Sequence, residues 1–175
     1  MGVAGCGKSS VAHAVAARLG GRFIEGDAFH PAANIEKMRR GIGLVDADRW
    51  GWLDRLAAEL MGARERGEPV VLACSALKRR YRDRLRLGGP SVSFVFLDLP
   101  QEEAAKRVRA RGGHFMPDSL VASQFADLEA PVAEALTLTV DATRPLDAII
   151  DQAIAWHVPS WQAPDVRSSA KIALS

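Results

Sequence analysis

This 175-residue sequence predicts an α/β fold with helices covering both faces of a parallel sheet. Three observations carry that expectation. Short apolar runs of strand length alternate with longer stretches of helical period. Two of those runs, PVVLA at 69–73 and SFVFL at 93–97, are apolar at every position but Ser93, as near-continuous strands buried on both faces are. The chain also opens on GVAGCGKSS, in which Gly2, Gly7, Lys8 and Ser9 satisfy G-x-x-x-x-G-K-[ST].

The elements follow in order. The first helix is expected over Gly7–Leu19, where Val11, Val15 and Leu19 recur at helical spacing and Gly20–Gly21 supply a stop. Strands are expected at Arg22–Glu25, Pro69–Ala73, Ser93–Leu97 and Leu136–Val140. Helices are expected at Asp48–Arg66, Lys78–Leu87, Gln101–Arg111 and Pro145–Trp156. A phosphate-binding loop ordinarily hangs from a buried strand, and only Met1 precedes Gly2, so the central strand of such a sheet is missing from the pattern.

The loop dictates its own chemistry. Glycines permit backbone angles that turn successive N–H groups inward to form an anion site. The helix that follows adds free N–H groups and the positive end of its dipole. Lys8 is placed to reach the β- and γ-phosphates, and the Ser9 hydroxyl to ligate Mg²⁺.

Composition bounds the alternatives. Charged residues make up 25% and apolar residues 48%, an ordinary balance for one domain with a substantial core. A net charge of +2 gives no reason to expect nucleic-acid or membrane binding. Cys6 and Cys74 are not in metal-ligand spacing. No apolar run approaches the ~20 residues of a membrane span, and nothing at the start reads as a secretory signal. The expected compartment is the cytoplasm. The sequence reads as a single domain over residues 1–156, with a tail over 157–175 that has no clear period.

Two stretches break the alternation, GDAFHPAANIEKMRRGIGLVDADRWGWL at 26–53 and RGGHFMPDSLVASQFADLEAP at 111–131. Both mix polar groups with apolar anchors. Insertions at the carboxyl ends of strands are where ligands bind in open α/β folds.

With these stretches in view, the chain resembles the gluconate kinase (gluconokinase) family, within the shikimate-kinase and nucleoside-monophosphate-kinase group of P-loop kinases. The resemblance is carried by GVAGCGKSS and by GD-x-x-H-x-x-x-N-x-x-K-M-x-x-G from Gly26 to Gly41. It continues through D-A-D-R at Asp46–Arg49, W-L at Trp52–Leu53, ACSALKRRYRDRLR at Ala73–Arg86, GHFMP and SQFADLEAP. Together these motifs span roughly residues 2–150. Gly43 and Gly51 stand where the family usually has proline, and Val45 where it has a polar residue. The resemblance implies a three-layer α/β/α P-loop kinase with a parallel five-stranded sheet, whose first strand is missing here. It also implies a substrate-binding insertion at about 27–53 and a small lid at about 112–131. The implied activity is ATP-dependent phosphorylation of D-gluconate to 6-phospho-D-gluconate, with Mg²⁺, in a homodimer. The alternatives are a kinase of shikimate-like acids or of nucleotides, and a nucleotide-binding module without turnover.

Roles are assigned on this basis. The nucleotide is expected at Gly2, Gly5, Cys6, Gly7, Lys8, Ser9 and Ser10, with Arg107 nearby and Ser9 on the metal. Asp27 is expected to accept the proton of the acceptor hydroxyl, the plainer reading being a cap for the next helix. His30 either donates to a substrate hydroxyl or is satisfied at the start of a helix. Lys37 and Arg49 either hold the substrate carboxylate or lie on a solvated face, with Arg49 preferred because a guanidinium fork matches a carboxylate. Lys78 either contacts substrate or serves the first turn of its helix. Arg107 and Arg111, four apart on one helical face, either close over the phosphates or form a basic surface. Arg111 is the preferred catalytic arginine, Gly112 and Gly113 its hinge, and His114 a further substrate contact; Phe115 and Met116 are expected to pack the lid. No aspartate ends the strand before Cys74, so the metal is expected to rest on Ser9, phosphates and water.

Overall fold

The structure is a computed structural model that describes residues 1–110 and 118–157. In chain order its elements are α1 (Lys8–Arg18), β1 (Arg22–Glu25), a short 3₁₀ turn (Gly26–Phe29), α2 (Ala32–Arg39), α3 (Asp46–Glu65), β2 (Val70–Ala73), α4 (Arg79–Arg86), β3 (Phe94–Asp98), α5 (Gln101–Ala110), α6 (Asp118–Asp127), β4 (Thr137–Asp141) and α7 (Leu146–His157). All four expected strands and five expected helices are present. The short helices α2 and α6 lie inside the two stretches that broke the alternation. The expected hinge at Gly112–Gly113, and Arg111, His114, Phe115 and Met116, lie outside the described residues, as does the tail from 158.

The strands do not form the single sheet that the alternation implies. They form two parallel pairs, β1 with β2 (Arg22 opposite Val70 through Glu25 opposite Ala73) and β3 with β4 (Phe94 opposite Thr137 through Asp98 opposite Asp141). Met1 sits between the pairs. Its amino group donates to the Val95 carbonyl at 2.6 Å, and its carbonyl accepts from the Leu97 amide at 3.0 Å. That is the parallel ladder pattern, with Met1 opposite Phe96. The Gly2 amide turns to the other pair and donates to the Ser75 carbonyl at 3.1 Å. One residue thus holds the position of a central strand. Behind it a cavity of about 810 Å³ runs between the facing edges, lined by Val70, Val71 and Leu72 on one side and Val95 on the other, with Val11 and Val15 of α1 beneath.

The core is divided as helices on two faces require. One cluster joins Val11 and Val15 of α1 to Val140, Ile149 and Ile150 near α7, and to Ala104 and Val108 of α5. The other joins Trp52, Leu53 and Leu56 of α3 to Tyr81 and Leu85 of α4 and to Phe94. Because β1 and β2 run the same way, the segments leaving them emerge at one edge, and the Gly2 amide at the Ser75 carbonyl brings the loop leaving Met1 to it. The candidate site is built there.

Candidate active site

The loop from Gly2 to Gly7 passes directly into α1. Gly7 caps the helix with φ 93°, a left-handed angle that disfavours any side chain. No side chain caps α1 and no acid stands in its first turn, so its amides and dipole end are left for an external anion. Ser9 and Ser10 are exposed in that first turn. Lys8 folds back instead of reaching outward, its Nζ donating to the Val3 carbonyl at 2.9 Å. Cys6 is a core residue, 2% exposed, so its part in the loop is through its backbone.

Asp27 follows β1 in the 3₁₀ turn and is exposed. The turn is fixed from two sides. Gly26 lies so close to the end of β2 that a Cβ there would stand 2.4 Å from the Ala73 carbonyl. Its own carbonyl accepts from buried Trp52 Nε1 at 2.8 Å. Trp52 also stacks on His30, ring centroids 4.1 Å apart. His30 is 8% exposed and its Nδ1 lies 3.3 Å from Asn34 Nδ2. Burial pushes the His30 pKa down against the opposing pull of Asp27, so the ring is neutral at pH 7. In this packed position His30 supports the Asp27 turn.

The α3 N-terminus carries the second half of the site. The helix begins at Asp46, two residues before the expected start, because Asp46 and Asp48 both suit a first turn and Asp48 Oδ2 accepts the Val45 amide at 3.0 Å. Lys37 donates to Asp48 Oδ1 at 2.6 Å, and that bond holds the Asp48 carboxyl below its usual range. Lys37 is thereby engaged within the insertion.

Arg49 and Lys78 converge from different elements. Arg49 Nη2 donates to the Leu44 carbonyl at 3.2 Å, its guanidinium stands 5.3 Å from the Tyr81 ring centroid, and its buried Nε has no partner among the described residues. Lys78 precedes α4 as its cap residue and stands 5.8 Å from the same ring. Its Nζ is 2.9 Å from Asp127 Oδ1 and 3.5 Å from Asp46 Oδ1. The Asp127 bond raises the Lys78 pKa further. Asp46 also accepts from the Tyr81 hydroxyl and pairs with Arg80 at 2.6 Å.

The Cys74–Lys78 segment is clamped from below and behind. Arg82, fully buried, donates from Nη1 to the carbonyls of Ala76 (3.0 Å) and Leu77 (2.9 Å), and from Nε to both Glu134 oxygens. Glu129 donates its amide to Leu77 and accepts the Arg79 amide at 2.6 Å, which satisfies the start of α4. Thus ADLEAP and CSALKRRYR, distant in sequence, form one structural unit. Arg107 is held on α5, with Nε 3.1 Å from Glu103 Oε1 and Nη1 donating to the Ala142 carbonyl at 3.0 Å. Arg111 and His114 lie outside the described residues.

The structure therefore brings Arg49 and Lys78 together, places Asp27 and the loop on the same edge, and engages Lys37 and Arg107 in local pairs. Sequence reasoning left Asp46, Tyr81, Gln124 and Asp127 without roles. All four stand in quoted motifs, Asp46 in D-A-D-R, Tyr81 in ACSALKRRYRDRLR, and Gln124 and Asp127 in SQFADLEAP, and that is the available signal. Among the described residues no three His, Cys, Asp or Glu side chains are grouped to hold a metal, and no helix is long and apolar enough to cross a membrane.

The family model described as an AAA domain matches residues 1–135. The gluconokinase of Gluconobacter oxydans is 45% identical over 154 residues, covering 88% of this chain and 86% of that protein. The thermosensitive gluconokinase of Escherichia coli is 47% identical over 134 residues, covering 77% and 72%. A gluconokinase crystal structure from Sinorhizobium meliloti superposes with a TM-score of 0.83 at 48% identity, covering 91% and 90% of the two chains. At these identities and coverages this chain belongs to the gluconokinase family of P-loop kinases.

Proposed function

We propose that this chain transfers the γ-phosphoryl group of ATP to a hydroxyl of D-gluconate, giving 6-phospho-D-gluconate and ADP. The observation that carries the reading is the convergence of Arg49 and Lys78 on the strand edge that also carries the phosphate loop and Asp27. A sugar acid offers a carboxylate for the two cations and a chain of hydroxyls to extend toward the loop.

In the reaction the oxygen of the acceptor hydroxyl bonds to the γ-phosphorus, the bond to the bridging β–γ oxygen breaks, and the hydroxyl proton leaves. Asp27 orients that hydroxyl and accepts its proton. The loop amides and the free start of α1 hold the phosphates, and Lys8 swings from the Val3 carbonyl to the β- and γ-phosphates. Arg49 and Lys78 hold the carboxylate and so fix which hydroxyl is presented. Arg111 and His114 are further proposed contacts to phosphate and substrate.

The oxygen donors present fit Mg²⁺. Ser9 offers an exposed hydroxyl in the first turn of α1, and β2 ends at Ala73, followed by Cys74, without a carboxylate. An ion that keeps most of its ligands as water and phosphate oxygens accepts such a site. Bound there it neutralises phosphate charge.

ADP release with Mg-ATP is the test, run against gluconate, shikimate, AMP, CMP and no acceptor. Turnover with gluconate alone is expected. Turnover with shikimate or a nucleotide moves the chain to another acceptor, and none with any acceptor makes it a binding module.

A further inference from the structure

We infer that Asp127 occupies the anion seat of the acceptor site and sets its selectivity for acidic substrates. This rests on the gluconate reading above. Asp127 closes α6 and reaches across to the two cations on the strand edge. One carboxylate oxygen lies 2.9 Å from Lys78 Nζ, a full ion-paired hydrogen bond. The other lies 3.9 Å from Arg49 Nη2, beyond hydrogen-bond range. The internal carboxylate therefore satisfies one cation and only neutralises the other.

The Arg49 guanidinium shows what is left over. Its side chain is 11% exposed, and its Nε is buried without a partner. Nε and Nη2 form the edge with which arginine grips a carboxylate bidentately. Here Nη2 is turned partly to the Leu44 carbonyl at 3.2 Å, and Nε donates to none of the described residues. A buried donor left unmade is costly, and Asp127, fixed at the end of α6, does not relieve it. A free carboxylate is not tied to a helix and can engage that edge and Lys78 together.

Two carboxylates cannot share the seat, because like charges at such distances repel strongly. Substrate binding then requires the Asp127 side chain to withdraw, and apparent affinity is reduced by the fraction of time Asp127 holds the seat. Selectivity follows from the same exchange. A neutral polyol that displaces Asp127 leaves Arg49 without that ion pair and Lys78 with Asp46 alone, 3.5 Å away, whereas an aldonate replaces what it removes.

The test compares wild type, Asp127→Asn and Asp127→Glu by steady-state kinetics at saturating Mg-ATP, and by calorimetry with gluconate alone. The asparagine variant removes the competing charge, and the glutamate variant keeps it on a longer arm. Asp127→Asn is expected to lower the gluconate KM and Kd about five- to tenfold with kcat within about twofold, while Asp127→Glu does not tighten binding. An unchanged or raised gluconate Kd in a folded Asp127→Asn protein overturns the inference, and so does an equal gain for sorbitol. Should Asp127→Asn melt with lost cooperativity, tightening by Asp127→Glu alone decides against it. Wild type that binds gluconate without phosphorylating it defeats the functional reading and leaves calorimetry to decide the role of Asp127. Wild type that neither binds nor phosphorylates gluconate defeats both.

Discussion

Gln124 Oε1 accepts the backbone amide of Ala4 at 2.7 Å, so α6 touches the phosphate loop directly. The amide belongs to the run of N–H groups that gives the loop its affinity for anions. A neutral acceptor orders the loop without opposing phosphate. A charged one at the same place opposes it. Gln124→Glu is therefore expected to weaken nucleotide binding about tenfold, equivalent to ~1.4 kcal/mol, with the gluconate KM unchanged. Titration with ATP and kinetics in both substrates check this, and an unaltered nucleotide Kd would show that Gln124 is remote from the phosphates.

Asp27 is exposed in its turn, and its backbone is held by Trp52 and by contact with the end of β2. Its side chain is thus not needed for folding. Asp27→Asn is expected to leave the melting temperature within about a degree, as exposed substitutions usually do. It should lower kcat by ~10²–10⁴, the usual contribution of a positioned proton acceptor. The gluconate KM should change little. A variant that keeps most of its kcat would take the proton-accepting role from Asp27.

Much of the fold could be read from period and punctuation, since PVVLA and FVFL are continuous apolar runs and Val11 and Val15 mark one helix face. What escaped was short or non-local. Helices α2 and α6 occupy eight and ten residues, too few turns for period alone to separate from loop. The division of the sheet into two pairs, with Met1 between them, rests on non-local pairing, and the residues of the pairs carry no mark of it. In the site, Arg49 and Lys78 were visible as residue types. Their meeting depends on Tyr81 lying between them and on Asp127 arriving from 49 residues beyond Lys78, which no local pattern encodes. Arg82 looked like one more base in KRRYRDR, and only burial shows that it is the clamp of that segment.

Glu134 ties part of the fold's stability to pH. Its hydrogen bond with Arg82, aided by Arg86, pulls its pKa from 4.5 to about 2. A carboxylate with a depressed folded-state pKa adds stability that is complete above the unfolded value and lost as pH falls through the folded one. Stability should accordingly decline from about pH 4.5 toward pH 2. Glu134→Gln should flatten that part of the profile. It should also destabilise the protein at pH 7 by about 3–5 kcal/mol, because Arg82 is left buried without its counter-charge. Urea unfolding across pH reads both effects, and a profile of unchanged slope in the variant would assign acid sensitivity elsewhere.

The cavity between β2 and β3 makes the strongest prediction about stability. Its edges expose strand groups in parallel register with Met1, which already pairs with Val95 and Leu97. An apolar strand joined ahead of Met1 would extend that ladder along β3, itself five residues long, and fill a volume of about 810 Å³. Buried side chains contribute ~1.5–3 kcal/mol each, against ~1–2 kcal/mol per residue of backbone ordering. The balance favours insertion when the residues are β-branched and apolar. At this size each kcal/mol shifts the melting temperature by about 2–4 °C, so five residues of valine and isoleucine should raise it by roughly 5 °C or more. The Met1 amino group adds a pH signature. Burial lowers its pKa from 8.0 to about 6, so stability falls as pH drops from 8 to 6. In the extended chain that nitrogen is an amide and the dependence disappears. A glycine–serine extension of equal length removes the charge without filling the cavity, and should abolish the pH dependence with little of the thermal gain. Equal melting temperatures for the apolar and the glycine–serine extensions would show that the cavity does not accept a strand.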